Sequence, residues 1–442
     1  MKGKLFQRKY LLIFFLMCLV FIHSLYRLSD KYHISDNILN HQGMNTDVVD
    51  YQLTAVNLVK GHGLTDHFIE DYGVYKIGLD KTTFNNMFYQ FMYFRGRFLK
   101  GTDLYDWSPP GYPTFLALFY YLFGVEPLNV MKIQFILIAL AASLMPLIGF
   151  LYWSEIGIVS GMASSILFIN FYSTNPATIL AESVYVFLFS IWILVFSVWD
   201  RSPRIIFTAL LGILLGMTLL VKGSSIFIVL LFPIYLFFKF KNPGIAIKQA
   251  IVFVLCLGIL IIPWSAYASI KSHRLVLLCS QVMPDLLDGN NEQSVLTGEF
   301  TPDWMMGNKD YLYKKLEKRN YSKIKMLTIF LTQNYRSIPE LLMNKLRVGF
   351  NKVILVIFLM IAFYASVFCL NRIKGGQKAK VPVFPLIFFI NILLITLIAY
   401  GRQIIVLPFI YSFLFPATYL PFYWVSFSLG RIFKSRRTPY AL

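Results

Sequence analysis

Apolar blocks of about 20 residues, parted by short charged loops, recur along most of this chain, and that spacing matches the thickness of a bilayer. A segment in hydrocarbon has no water to bond its backbone, so it folds as a helix or closes into a barrel. The blocks are read as spanning helices. They run over Tyr10–Tyr26 and then near 129–152, 157–175, 180–198, 205–221, 225–238, 249–267, 349–370, 382–400 and 404–429. Only 14% of the residues are charged, well below the roughly 25% of a soluble domain. The net charge of +19 would suit a nucleic-acid binder, but the basic residues sit in loops between the blocks. No nucleic-acid partner is expected; membrane lipids are.

The loops also set the direction of each span. Lys2, Lys4, Arg8 and Lys9 precede the first block, and no small-residue cleavage site follows it. It is expected to stay as a first helix with a cytoplasmic N-terminus. Pro110–Gly124 is apolar but short and opens on Pro109-Pro110-Gly111-Tyr112-Pro113. If it does not cross, then Arg201, Arg204, Lys239, Lys241, Lys248, Arg372, Lys374, Lys378, Lys380, Arg431, Lys434, Arg436 and Arg437 all fall inside. Only Lys222 and Arg402 then stand in short outer turns. If it crosses, this bias reverses, so the segment is read as a helix lying at the outer interface.

The expectation is an all-α polytopic membrane protein of about 10 transmembrane helices with both ends inside. An N-terminal transmembrane module covers 1–267 and includes an outer loop over 28–128. An outer-face loop region covers 268–348, and C-terminal transmembrane helices cover 349–442. Of the 22 Asp and Glu residues, 11 lie in the first long outer segment and 8 in the second, so polar chemistry gathers on the outer face. The first segment carries amphipathic aromatic and basic pieces, Tyr51–Lys60 and Thr83–Leu99, of the kind that lie in the interfacial plane. The second carries a turn-rich stretch, Asp285–Gly307, and a basic helical one, Lys309–Lys325.

Several chemistries lack their motifs. The chain has no Asp-x-Asp, no Walker loop, no GxGxxG and no HExxH. Four cysteines show neither metal-ligand spacing nor a disulfide framework. No cofactor and no metal are expected.

The candidates for chemistry are few. Thr46-Asp47-Val48-Val49-Asp50-Tyr51 opens a helical stretch, where Asp47 suits an N-cap with Asp50 three residues on. The same carboxylates, held just outside the membrane, suit deprotonation of an acceptor hydroxyl at a lipid head group. Glu182 is the one acid at the outer end of a span, where an ionisable residue either lines a cavity or snorkels to water. Lys222 and Arg402, at head-group level, suit a phosphate or ordinary anionic lipid.

These residues resemble a known pattern. Asp47-Val48-Val49-Asp50-Tyr51 with Ala55, Asn57-Leu58 and Gly61-His62-Gly63 is similar to the first outer loop of membrane-embedded GT-C glycosyltransferases. The branch is that of the protein mannosyltransferases and lipid A aminoarabinose transferases. Pro110-Gly111-Tyr112-Pro113 with Phe123-Gly124 resembles the next motif of that branch, and Ala181-Glu182 its acidic position at the fourth span. Ile262-Pro263-Trp264, Gly289-Asn290-Asn291 with Thr297-Gly298, and Gly401-Arg402 with Leu407-Pro408 follow in the same order. Ser265-Ala266-Tyr267 stands where Arg-Asn is common, Gln403 where Tyr is common, and Lys222 where Arg is frequent.

The resemblance implies transfer of one sugar, with inversion, from a polyprenyl-phosphate donor to an envelope lipid, glycan or protein acceptor on the outer face. The implied setting is the plasma membrane of a bacterium. It makes Asp47 the general base and Asp50, Tyr51, Glu182, Lys222 and Arg402 candidate substrate contacts. Two other classes share the membrane setting: a transporter or flippase of lipid-linked saccharides, and an envelope polymerase. A transporter would bury charge at mid-membrane and often repeats its halves, whereas here charge sits at the outer ends and no repeat is seen.

Overall fold

The computed structural model describes residues 2–32, 46–65, 104, 106–172, 176, 178–298, 322–350, 357–358, 360–365, 382–398, 414 and 418–419. Among these the architecture is helical, apart from an isolated antiparallel bridge between Thr65 and Leu104. The helices are α1 (Lys2–Lys31), α2 (Thr46–Val59), α3 (Gly111–Phe123), α4 (Pro127–Ser143), α5 (Met145–Phe171), α6 (Glu182–Arg201) and α7 (Ile205–Val221). They continue as α8 (Ile228–Lys239), α9 (Pro243–Ser272), α10 (Val282–Asp288), α11 (Glu292–Thr297), α12 (Lys323–Gln333), α13 (Ile338–Phe350) and α14 (Phe384–Ile398). Four stretches are long and apolar enough to cross a membrane: Tyr10–Lys31, Pro127–Asn170, Glu182–Arg201 and Pro243–Ser272. This is a membrane-embedded helical protein.

The stretch Pro127–Asn170 is a hairpin. Trp153 (φ −134°) and Ser154 (φ 54°, ψ −132°) leave the helical region and reverse the chain. The two arms then meet in antiparallel register. A β-carbon on Gly149 would sit 2.0 Å from the Gly157 carbonyl oxygen, and one on Gly161 would sit 2.4 Å from that of Met145. Ser165 donates to the Ala142 carbonyl at 2.8 Å. Glycine at the crossing lets the two backbones touch, which side chains would prevent. The loop expected over 153–156 is therefore a two-residue reversal.

Contacts between helix ends fix which ends lie together. The Tyr10 ring meets Phe150 at 5.9 Å, while Lys31 Nζ reaches the Tyr172 carbonyl at 2.8 Å. Thus α1 runs alongside the second arm of the hairpin in the same direction. Glu182, at the start of α6, pairs with Lys222, at the end of α7. Asp200, at the other end of α6, pairs with Lys239, which closes α8. One end of the bundle therefore holds Tyr172, Glu182, Lys222 and the end of α9; the other holds Trp153, Asp200 and Lys239.

Between the ends lies an aromatic core. Trp192, Phe196 and Trp199 of α6 pack on Phe232 of α8, and Trp192 and Phe196 also meet Phe388 and Phe384 of α14. Trp199 donates to Thr208, which in turn donates to Gln249, so α6, α7 and α9 share a buried polar link. Outward faces are apolar too: Leu255, Ile259, Ile262 and Ile270 of α9 are exposed, as a lipid-facing helix requires.

Candidate functional site

At the Glu182 end, α3 lies across the helix tops. A β-carbon on Gly111 would stand 2.7 Å from the Leu220 carbonyl, so only glycine lets α3 rest on the end of α7. Tyr112 follows, fully buried, and donates to Gln134 of α4 at 2.6 Å. Gln134 in turn donates to the carbonyls of Pro176 and Thr178 at 2.8 Å each, which ties down the chain entering Glu182. Leu118, Tyr121, Leu122 and Phe123 on the opposite face are exposed. Both faces of α3 are therefore largely apolar, one packed on the bundle and one open.

Helix α2 packs against α3 through a Tyr51–Tyr112 edge-to-face contact at 4.9 Å and a Tyr120 to Gln52 hydrogen bond of 3.1 Å. The α2 helix begins at Thr46, so Asp47 stands inside its first turn and is not the N-cap expected from the sequence. There its negative charge faces the positive end of the helix dipole. Asp50 and Tyr51, one turn on, point inward and are 3% and 9% exposed; Asp47 is exposed.

Three carboxylates from two elements converge on Tyr51. Burial pushes its phenol up from the ordinary tyrosine range, and the charges of Asp47, Glu182 and Asp50 push it further, against a hydrogen bond shared with Ser108. Tyr51 stays protonated at any working pH and serves as a donor, not a base. Glu182, 5% exposed, does not snorkel: it accepts from Lys222 Nζ at 2.5 Å. Behind it Tyr185 and Ser225 share a 2.7 Å hydrogen bond, joining α6 to the turn after Lys222. Asn391 of α14 fixes that turn from the other side, bonding the Phe227 N–H at 3.1 Å and the Ser224 carbonyl at 2.8 Å.

A second buried ion pair braces the approach. Asp106, fully buried, accepts from Arg274 at 2.8 Å and from the Ser280 hydroxyl at 2.9 Å. Gln281 then accepts from Ser108 at 3.4 Å, beside Tyr51. Trp264, from the Pro-Trp pair, donates to the Leu278 carbonyl at 2.7 Å and holds the same segment.

Asp47, Asp50, Tyr51, Glu182 and Lys222 are thus brought together. Arg402, with Gln403 and Leu407-Pro408, lies outside the described residues, as do Thr83–Leu99 and most of Lys309–Lys325. Ser108, Gln134, Asp106 and Arg274 are partners that the sequence reading missed. The first two carried no signal; Asp106 and Arg274 lie 168 residues apart, beyond any local pattern. Among the described residues no group of three or more His, Cys, Asp or Glu side chains is placed to hold a metal ion.

No family model, no curated protein and no solved structure matches this chain.

Proposed function

We propose that this protein is a membrane glycosyltransferase of GT-C type, which moves one sugar from a polyprenyl-phosphate carrier to an acceptor on the outer face. In this reading about ten helices cross the membrane, both chain ends are inside, and α3 lies at the outer surface. The observation that carries the reading is the division of labour among the three carboxylates. Glu182 is buried and engaged by Lys222, Asp50 is buried under α3, and Asp47 alone is exposed to an incoming substrate. The ordered motifs from 46 to 408 add to it.

The chemistry then follows from the groups present. Asp47 takes the proton of the acceptor hydroxyl, whose oxygen attacks the anomeric carbon from the face opposite the phosphate. The new oxygen–carbon bond forms as the carbon–oxygen bond to phosphate breaks, and the lipid phosphate departs with the electron pair. That leaving group is already anionic, so it needs cations rather than an acid. Lys222 uses one N–H on Glu182 and has two more to offer; Arg402 would supply a bidentate fork.

The experiment is transfer of label by the purified protein from a radiolabelled polyprenyl-phosphate sugar to a membrane extract. Covalent label in the acceptor fraction supports the enzyme. Movement of intact donor across vesicles without covalent transfer would support a flippase instead.

A further inference from the structure

The turn Gly289-Asn290-Asn291 takes no part in the site above, yet it is buried and heavily bonded. Asn291 caps α11, its Oδ1 accepting the Ser294 N–H at 2.9 Å. Asn290 faces the other way. Its Nδ2 donates to the Leu286 carbonyl at 2.6 Å and to that of Ile398, the last residue of α14, at 2.9 Å. Its Oδ1 accepts from Lys345 Nζ at 2.8 Å, and the same amine donates to the Leu397 carbonyl at 3.1 Å. The neighbouring Asn344 donates to the Val295 carbonyl at 2.8 Å. One lysine therefore stands where the 289–298 segment, α13 and the end of α14 meet.

Lys345 is fully buried. Its two partners are both neutral acceptors, and among the described residues no carboxylate pairs with it. A neutral amine has two N–H donors and an ammonium has three. Two acceptors match the neutral form; the ammonium would bury a full charge and a surplus N–H. Burial alone pulls the Lys345 amine down to about 7. The charged groups on the elements packed here are Asp285, Asp288 and Glu292 on α10 and α11, Lys323 and Lys325 on α12, and Glu340 and Arg347 on α13. Helix α14 carries none. None of these adds to the shift.

We propose that Lys345 is a proton-released latch, which holds the 289–298 segment and α13 to the end of α14 and loosens as its amine takes a proton. The sign follows from where the proton binds better. In an opened segment the amine regains the ordinary lysine affinity for protons, so acid favours opening. The bias acts between the ordinary value of 10.5 and the buried value of about 7. Opening rises up to roughly tenfold for each pH unit lost across that window and levels off below it. The latch stands independently of the transfer reaction.

Hydrogen exchange at the amides of Val295 and Gly298, which bond to Asn291 and Ser294 carbonyls, reads the latch directly. With protection corrected for the intrinsic pH dependence of exchange, the wild-type protein should lose roughly 100-fold between pH 9 and 7, then level off. Lys345→Met and Lys345→Gln should show flat profiles, and the glutamine keeps a neutral pair of N–H donors if the methionine variant fails to fold. Asp288→Asn should retain the wild-type slope. A flat wild-type profile, a wild-type slope in Lys345→Gln, or a slope lost in Asp288→Asn would each overturn the latch.

Discussion

Lys222→Met should destabilise the fold more than Glu182→Gln, and the two changes together should cost less than either sum implies. The structure sets the magnitudes. The Glu182 side chain is 6% exposed and that of Lys222 is 24% exposed, with 2.5 Å between Nζ and Oε1. Removing one partner of a buried pair costs about 3–5 kcal/mol, because the other charge is left uncompensated. Lys222→Met strands the deeper charge and belongs in that range at neutral pH. Glu182→Gln leaves an ammonium that already reaches water, so about 1–3 kcal/mol is expected. The double variant removes both charges and should return to within about 2 kcal/mol of wild type, since apolar replacement of a buried pair is often near neutral. Equilibrium unfolding in mixed micelles gives the cycle, with an expected coupling of about 2 kcal/mol or more. Strictly additive single and double variants would refute the claim that this pair is a buried, mutually compensated unit.

Other outcomes follow from the same geometry. Gly157→Ala should destabilise the α4–α5 hairpin by roughly 1–3 kcal/mol or more, since its β-carbon would lie 1.9 Å from the Gly149 carbonyl oxygen; thermal unfolding in detergent reads it. Single cysteines at Arg201 and Lys374 should resist an impermeant thiol reagent in intact cells while one at Glu70 reacts; labelling at 374 would break the proposed topology. Arg402→Ala should weaken binding of the polyprenyl-phosphate donor by about 10- to 150-fold, the worth of one charge-assisted contact of roughly 1.5–3 kcal/mol.

The helical class was legible because apolar length is a property of each segment alone. Asp47 was misread as an N-cap because Asp suits that place, whereas the helix already includes Thr46 and puts Asp47 inside the first turn. Glu182 was marked by its position at a helix end, but its partner was not. Lys222 is 40 residues away, and only the antiparallel packing of α6 and α7 brings the two together. Lys345 gave no sign at all. A basic residue in an amphipathic helix reads as a solvated face, and its burial depends on Asn290 and Leu397, which come from two other elements.

If Asp47 removes a proton from an acceptor hydroxyl during sugar transfer, turnover by paired asparagine variants distinguishes it from its neighbour Asp50. Asp47→Asn keeps shape and loses the charge–dipole attraction at the start of α2, about 0.3–1 kcal/mol, so it should fold and bind donor. It cannot take a proton, and transfer should fall by roughly 100-fold or more. Asp50→Asn, at a buried position, should lose far less turnover per folded molecule. A folded Asp47→Asn protein that transfers label at a near-normal rate would exclude Asp47 as the base.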